Sequence, residues 1–207
     1  MSKTDTTATA GPENTAPLSK AYELLTAVSM TVGRGPAART MADLAQLTPA
    51  DSVVDIGCGP GTAARVAARQ CEHVTGVDPT PAMLRLGRWL TAIQRVPNVA
   101  FVEGAAESLP LPDDSATVAW ALSSVHHWTD RAAGVAEARR VLRPGGRILL
   151  AERLVKPGAH GHAAHGLTHE QADQLIGDLT AAGFSDTVSE IKQAGRRTLI
   201  VVRGSAS

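Results

Sequence analysis

The stretch VVDIGCGPGTAA, residues 53–64, has the pattern of an apolar strand that enters a glycine-rich turn and then a helix. Its three glycines, Gly57, Gly59 and Gly61, allow a ligand to approach the backbone closely. In an open parallel sheet, the turn after the first strand lies at the edge where ligands bind. The stretch therefore predicts an α/β fold with a ligand site at this turn.

The alternation of strand and helix continues along the chain. Apolar strands separated by helical stretches favour a parallel sheet that is covered on both faces. The predicted strands are 53–56, 73–77, 99–103, 117–122 and 147–151, and the predicted helices between them are 62–70, 81–95 and 131–142.

The C-terminal part has a different pattern. Thr168-His-Glu-Gln171 resembles a capping box and predicts a helix that continues to Ala182. Two strand-like runs follow, 187–191 and 198–202, and the stretch between them has hairpin length rather than crossover length. We therefore expect the sheet to end in an antiparallel pair.

The N-terminal region lacks this alternation. Residues 1–17 are rich in Thr, Ala and Pro, and we expect a disordered tail there. Two helices are predicted at 18–31 and 37–46. The remaining chain, 18–207, is expected to form a single domain, because its length suits one buried core.

Composition excludes some classes of function. The 207 residues include 20 Lys and Arg in total and 20 Asp and Glu in total. This balanced charge gives no indication that the protein binds nucleic acid or an anionic membrane. No apolar run approaches the roughly 18 residues of a membrane span, and no signal core is present. The two cysteines are too few for a disulfide framework. We expect a cytoplasmic protein, and the sequence gives no indication of its oligomeric state.

Charge near the glycine turn bears on the ligand. Thr62 stands where a dinucleotide fingerprint has its third glycine. Asp55, two residues before the turn, would repel a pyrophosphate and favour a cation such as the ammonium or sulfonium of S-adenosylmethionine; alternatively, it only anchors its loop. Asp78 follows the second strand, where an acid accepts hydrogen bonds from ribose hydroxyls or caps the next helix. The ribose diol alone does not separate NAD from S-adenosylmethionine.

Five segments in order resemble the class I S-adenosylmethionine-dependent methyltransferases, and among them the small-molecule branch called type 11. The resemblance covers about residues 40–203 and implies a Rossmann-like sandwich with a mostly parallel seven-stranded sheet and a C-terminal antiparallel hairpin. It also implies that 18–47 forms lid helices over a catalytic core at 48–203. The segments are VVDIGCGPG, GVDPTPAML, FVEGAAESLPLPDDS, SSVHHWTD and EARRVLRPGGRILLAE.

The resemblance also implies a cofactor site for S-adenosylmethionine. Asp55, Gly57, Gly59 and Gly61 would hold the methionyl end of the cofactor, and Asp78 would bind the ribose diol.

The adenine end of that site departs from the family pattern. Met83 matches the family's Met and would pack on adenine, and the backbone N–H of Ala106 would contact the ring. Ala105 stands where the family usually has an acid that accepts from the adenine amino group. The missing contact would weaken binding by about 0.5–1.5 kcal/mol unless Glu107 replaces it.

His126 and His127 are the candidate catalytic residues, since the family places its reaction site just after the fourth strand. An imidazole titrates near neutrality and would take a proton from an acceptor hydroxyl. The alternative is that these histidines only shape the loop.

A histidine-rich run follows the fifth predicted strand. It holds no Cys or carboxylate at a recognised ligand spacing, so no metal site is predicted. The run consists of His160, His162, His165 and His169.

The leading hypothesis is methyl transfer from S-adenosylmethionine to a small molecule at oxygen, nitrogen or carbon. A non-catalytic S-adenosylmethionine-binding protein is an alternative that Ala105 keeps open. An NAD-dependent oxidoreductase is disfavoured by Thr62, Asp55 and the terminal hairpin. A nucleic-acid methyltransferase is disfavoured by the balanced charge and the lack of a motif for a flipped base.

Overall fold

A computed structural model describes residues 34–161 and 165–207 of the chain. The predicted tail 1–17 and the predicted helix 18–31 lie outside the described residues. The second predicted N-terminal helix is present as Gly35–Ala45.

The described part of the chain alternates helices and strands in the predicted order. The elements are α1 Gly35–Ala45, β1 Ser52–Ile56, α2 Thr62–Ala67, β2 His73–Asp78, α3 Pro81–Ile93, β3 Val99–Glu103, β4 Ala116–Leu122, a 3₁₀ turn Val125–His127, α4 Arg131–Val141, β5 Leu142–Arg153, α5 His169–Ala181, β6 Phe184–Ala194 and β7 Arg197–Ala206.

The strands form one mixed sheet in the order β3-β2-β1-β4-β5-β7-β6. The first five strands of this order are parallel, and β7 is antiparallel to both β5 and β6. The predicted fold is therefore confirmed, including the terminal hairpin. Strand order reverses between β1 and β4, which creates a crevice at the carboxyl ends of these two strands.

Each face of the sheet packs against its own set of helices. Neighbouring residues of β5 point to opposite faces: Leu149 belongs to the cluster that contains Met41 of α1, and Leu150 to the cluster that contains Leu175 of α5. Trp120 of the central strand is fully buried. Burial of a large apolar side chain contributes about 1.5–3 kcal/mol, so these two layers stabilise the sheet whose strand ends border the crevice.

The boundaries of several elements differ from the predicted ones. Strands β6 and β7 extend well beyond 187–191 and 198–202, and Gly195 with φ +63° turns the chain between them. Most of the added positions carry polar side chains, so their pattern gave no apolar signal. Helix α2 ends at Ala67 rather than at residue 70, because the N–H of Gln70 donates to the Ala67 carbonyl and the chain forms a turn there.

The capping box at the start of α5 is confirmed. Thr168 Oγ1 accepts from the N–H of Gln171, and the Gln171 side chain accepts from the N–H of Thr168. Across the described residues, no helix has both the length and the apolar character needed to cross a membrane.

Candidate functional site

The glycine turn after β1 is tied to the end of β2. The N–H groups of Gly57 and Cys58 both donate to the Val77 carbonyl, at 2.8 and 3.0 Å. Gly57 has φ +68°, and a Cβ there would lie 1.8 Å from the Ser124 hydroxyl oxygen. Only glycine therefore fits at this position, and it brings β1 and the segment after β4 into close contact.

Asp78 connects the glycine turn to the start of α3. Its Oδ2 accepts from the N–H of Gly59 at 2.8 Å, and its Oδ1 accepts from the N–H of Thr80 at 2.9 Å. Asp78 is 8% exposed. A carboxylate offers about four acceptor positions, so both oxygens keep capacity for a ligand hydroxyl.

A cavity of about 440 Å³ opens beside this carboxylate, and its volume is within the usual range for small ligands. We call it the glycine-turn cavity. Of the predicted site residues, it is lined by Gly57, Gly59, Asp78, Met83, Ala105, Ala106 and His127. The remainder of its wall is formed by Arg34, Pro79, Thr80, Glu107, Ser123, Ser124, Trp128 and Thr129.

Asp55 and Gly61 are not among the residues that line this cavity. Gly61 backs onto the Phe101 ring, which a Cβ would meet at 2.5 Å. Asp55 faces a narrow crevice beneath the turn, together with Arg34 and Gly57. The prediction that Asp55 and Gly61 help to hold the cofactor therefore rests on charge and backbone shape rather than on cavity contact.

Asp55 is a buried carboxyl group with little compensation. Burial raises its pKa to about 7; Trp120 and the Ala64 backbone oppose the shift, Asp78 adds to it and Arg34 opposes it. Among the described residues, Oδ2 makes no hydrogen bond. Oδ2 thus keeps its capacity to accept a hydrogen bond.

A second cavity, of about 390 Å³, adjoins the first. We call it the histidine cavity, and it shares His127 and Trp128 with the glycine-turn cavity. The Trp128 indole donates to the Ser124 hydroxyl at 3.1 Å, which fixes the ring at the boundary. The other lining residues are Val125, His126, Arg131, His165, Gly166, Leu167 and Gln171.

The predicted catalytic histidines occupy different positions at this boundary. His126 Nδ1 lies 2.9 Å from Oε2 of Glu152, a fully buried residue of β5. His127 is more exposed and contacts both cavities. Desolvation lowers the pKa of His127, the neighbouring His126 lowers it further, and Glu152 opposes both.

Glu107 is the residue that could replace the missing adenine contact, but one of its carboxylate oxygens already accepts other hydrogen bonds. Its Oε1 accepts from the N–H groups of Thr129 and Asp130, at 2.6 and 3.2 Å. The carboxylate thereby holds the loop after the 3₁₀ turn against the cavity. Ala105 lines the cavity without a polar side chain, as the sequence requires.

Sequence reasoning missed several residues of the two cavity walls. Ser123 and Ser124 follow β4 at the point where strand order reverses, and this position was a usable signal. Arg34, Arg131 and Gln171 come from helix termini that reach the site only through tertiary packing. Apart from the capping box that contains Gln171, nothing in their local sequence distinguishes them from surface residues.

The sheet order and the ligand-sized crevice beyond β1, β2 and β4 define a class I methyltransferase-like domain. Residues 54–150 match the type 11 family described as a methyltransferase domain. Over these residues, which make up just under half of the chain, it resembles the class I methyltransferases of this branch. S-adenosylmethionine is the cofactor expected for the family.

Known proteins with similar sequences and folds agree with this assignment. Over 100 residues, 48% of this chain and 40% of the relative, the chain is 38% identical to the uncharacterized methyltransferase YcgJ of Bacillus subtilis. Over 123 residues, 58% of this chain and 45% of the relative, it is 37% identical to the 27-O-demethylrifamycin SV methyltransferase of Amycolatopsis mediterranei. The chain therefore matches less than half of the length of these relatives.

A solved structure extends the likeness over most of the fold. The SAM-dependent methyltransferase from Aquifex aeolicus superposes with a TM-score of 0.73 at 12% identity. The superposition covers 88% of this chain and 97% of that one. At this identity the likeness concerns the fold alone.

Proposed function

We propose that the protein binds S-adenosylmethionine in the glycine-turn cavity and transfers its methyl group to a small molecule in the histidine cavity. One observation carries the proposal: His127 and Trp128 line both cavities, so a cofactor in one meets an acceptor in the other at a shared wall. The relative that acts on 27-O-demethylrifamycin SV, by its name, supports a small-molecule acceptor.

The residues of the glycine-turn cavity fit S-adenosylmethionine. Gly59 has φ +53°, and a Cβ there would meet nothing within 4 Å, so this backbone borders open space that a ligand can fill. Asp78 would accept from the ribose hydroxyls with the acceptor positions that Gly59 and Thr80 leave available. Met83 would pack on adenine, because an unbranched thioether suits an aromatic face.

The methionyl end of the cofactor would lie toward Asp55. The carboxyl group is uncompensated at Oδ2, and a nearby ammonium would favour its ionised form. Arg34 lines both the cavity and the crevice and would attract the cofactor carboxylate. Opposite charges at the two sides of the turn would thus orient this end.

The sulfonium supplies an activated methyl group, so transfer demands chiefly alignment and the exclusion of water. Trp128, fixed by Ser124, would align the acceptor at the shared wall. His126 and His127 would act on the acceptor, since both border the histidine cavity. Glu152 would keep the His126 ring in one orientation.

Cofactor binding without methyl transfer is the second candidate function, and Ala105 favours it. The cavity wall has no acid at this position for the adenine amino group, and Glu107 is engaged by the loop at one oxygen. A protein that binds S-adenosylmethionine but releases no S-adenosylhomocysteine with any acceptor would fit this candidate.

Calorimetric titration of the full chain with S-adenosylmethionine, with NAD as the control ligand, tests the proposal. We expect saturable binding of S-adenosylmethionine only. Binding of NAD alone would move the protein to the oxidoreductases, and binding of neither would contradict the cofactor assignment. An acceptor screen that detects S-adenosylhomocysteine then separates the enzyme from the non-catalytic binder.

A further inference from the structure

Three imidazoles converge in the wall of the histidine cavity. His126 and His127 belong to the 3₁₀ turn after β4, and His165 belongs to the loop after β5. One ring nitrogen from each lies within 4.8 Å of the others. The ring centroids of His126 and His127 are 3.9 Å apart, and His165 lies 5.3 and 5.8 Å from them.

A buried carboxylate orients one of these rings. Glu152 Oε2 lies 2.9 Å from His126 Nδ1, and Glu152 is fully buried. This contact assigns the Nδ1 proton to the carboxylate side, which leaves His126 Nε2 as the nitrogen available to another partner. Proteins fix metal-ligating histidines by the same carboxylate–histidine contact.

We propose that His126, His127 and His165 bind one divalent transition-metal ion, with zinc as the reference ion. Imidazole nitrogen suits Zn²⁺, whereas Ca²⁺ and Mg²⁺ require oxygen ligands. At a Zn–N distance of about 2.0–2.1 Å, tetrahedral ligand nitrogens are about 3.4 Å apart. The three rings, each with a nitrogen within 4.8 Å of the others, would therefore have to approach further, by side-chain rotation of the two exposed histidines.

This site differs from the one that the sequence argued against. The histidine-rich run contributes only His165, and the other two ligands come from a turn about forty residues earlier. Spacing within the run therefore carried no information about the cluster. Topology brings the two segments together, because β4 and β5 are neighbouring parallel strands whose carboxyl ends meet.

Three protein ligands leave one tetrahedral position open. This position would face the histidine cavity, where the proposed function puts the methyl acceptor, and the inference rests on that function for its role. An oxygen of the acceptor would occupy the open position. A cation lowers the pKa of an oxygen ligand, so the site favours acceptors that carry a hydroxyl group.

Zinc titration of the full chain tests the site independently of methyl transfer. The protein is used without a histidine tag and is first treated with a chelator. Calorimetry with Zn²⁺ should show one equivalent bound. His126→Ala, His127→Ala and His165→Ala should each weaken zinc affinity at least about 100-fold, and Glu152→Gln about 10- to 100-fold.

His73→Ala is the matched control, because His73 is an exposed residue at the opposite end of β2 from the site. Zinc affinity should be unchanged in this variant. The absorption spectrum with Co²⁺ should indicate nitrogen ligands rather than the thiolates of Cys58 or Cys71. Circular dichroism of each variant confirms that it is folded.

Absence of saturable zinc binding to the wild-type chain would overturn the metal site. Equal zinc affinity in the wild type and the three histidine variants would do so as well. S-adenosylmethionine titration of the same samples keeps the two proposals apart. Cofactor binding without zinc binding removes only the metal site, and zinc binding without cofactor binding removes only the cofactor assignment.

Discussion

The Asp78 carboxylate accepts a hydrogen bond from the Gly59 N–H at 2.8 Å, across nineteen residues of sequence. Its other oxygen accepts from the Thr80 N–H. One side chain thus sets the shape of the glycine turn and also lines the cavity that the turn borders. Structural and ligand-binding roles of Asp78 must therefore be separated by experiment.

Replacing Asp78 by Ala should weaken S-adenosylmethionine binding about 10- to 100-fold, because it removes charged acceptors worth about 1.5–3 kcal/mol. Glu103→Ala is the matched control. Glu103 ends β3 in register with Asp78, is exposed, and does not line the cavity. Calorimetry should show normal affinity in the control. Equal losses of affinity in both variants would mean that the effect comes from removing one negative charge from this region rather than from a contact with Asp78.

Two glycines of the turn should respond differently to alanine. Gly57→Ala puts a Cβ against Ser124 and should lower the free energy of unfolding by about 2–5 kcal/mol. Gly59→Ala has no such clash and should cost only the about 1–2 kcal/mol of its left-handed backbone. Urea unfolding measures both values.

The Gly59→Ala variant also tests where the cofactor lies. The methyl group of Gly59→Ala would enter open space at the cavity wall, where the cofactor is proposed to lie. The variant should therefore lose more free energy of cofactor binding than free energy of unfolding. If Gly59→Ala binds S-adenosylmethionine as tightly as the wild type does, the cofactor does not contact this part of the turn.

The part of the site that sequence could predict is local. Strand β1, the glycine turn and Asp78 are close in sequence, and their residue types are dictated by backbone shape and charge. The structure brings Gly57, Gly59, Asp78 and Met83 to one cavity. The strands themselves were predictable because most of their buried residues are apolar.

The histidine cavity could not be predicted in the same way. Its wall combines the turn after β4 with His165 and Gln171, which lie beyond β5. The contact between His126 and Glu152 depends on the pairing of β4 with β5 and on the path of the following turn. Sequence spacing contains neither of these. The added residues of β6 were missed for a related reason: Ser185, Lys192 and Gln193 give no apolar pattern, and their pairing with β7 is what extends the strand.

Replacing His126 or His127 by Ala should leave S-adenosylmethionine affinity largely intact, because both residues are proposed to act on the acceptor. Turnover should fall by at least about 10-fold if the histidines assist proton removal. Release of S-adenosylhomocysteine with an acceptor found by screening measures this. His160→Ala, an exposed residue outside both cavity walls, is the control. Full activity in both test variants would show that neither histidine acts on the acceptor.

Asp55 should make the protein less stable as pH rises, whereas a carboxyl group with a lowered pKa has the opposite effect. Its pKa is raised from 3.8 to about 7 in the folded state. Between these values the folded protein binds more protons than the unfolded chain does, so stability falls as pH rises through this window. Arg34 and Asp78 are the charged groups that act on it, in opposite directions. The contribution is on the order of 4 kcal/mol at most.

Asp55→Asn should therefore flatten the decline of stability from about pH 4 to pH 7. Asp51→Asn is an informative contrast. Burial raises the pKa of Asp51, but its bonds to Arg147, Thr117 and Thr48 outweigh this and hold the pKa well below its usual range. Asp51 thus stabilises the fold above the pKa of the unfolded chain, and its replacement should lower stability at neutral pH. Urea unfolding at several pH values measures both effects, and a wild-type slope in Asp55→Asn would show that Asp55 is ionised in the folded protein.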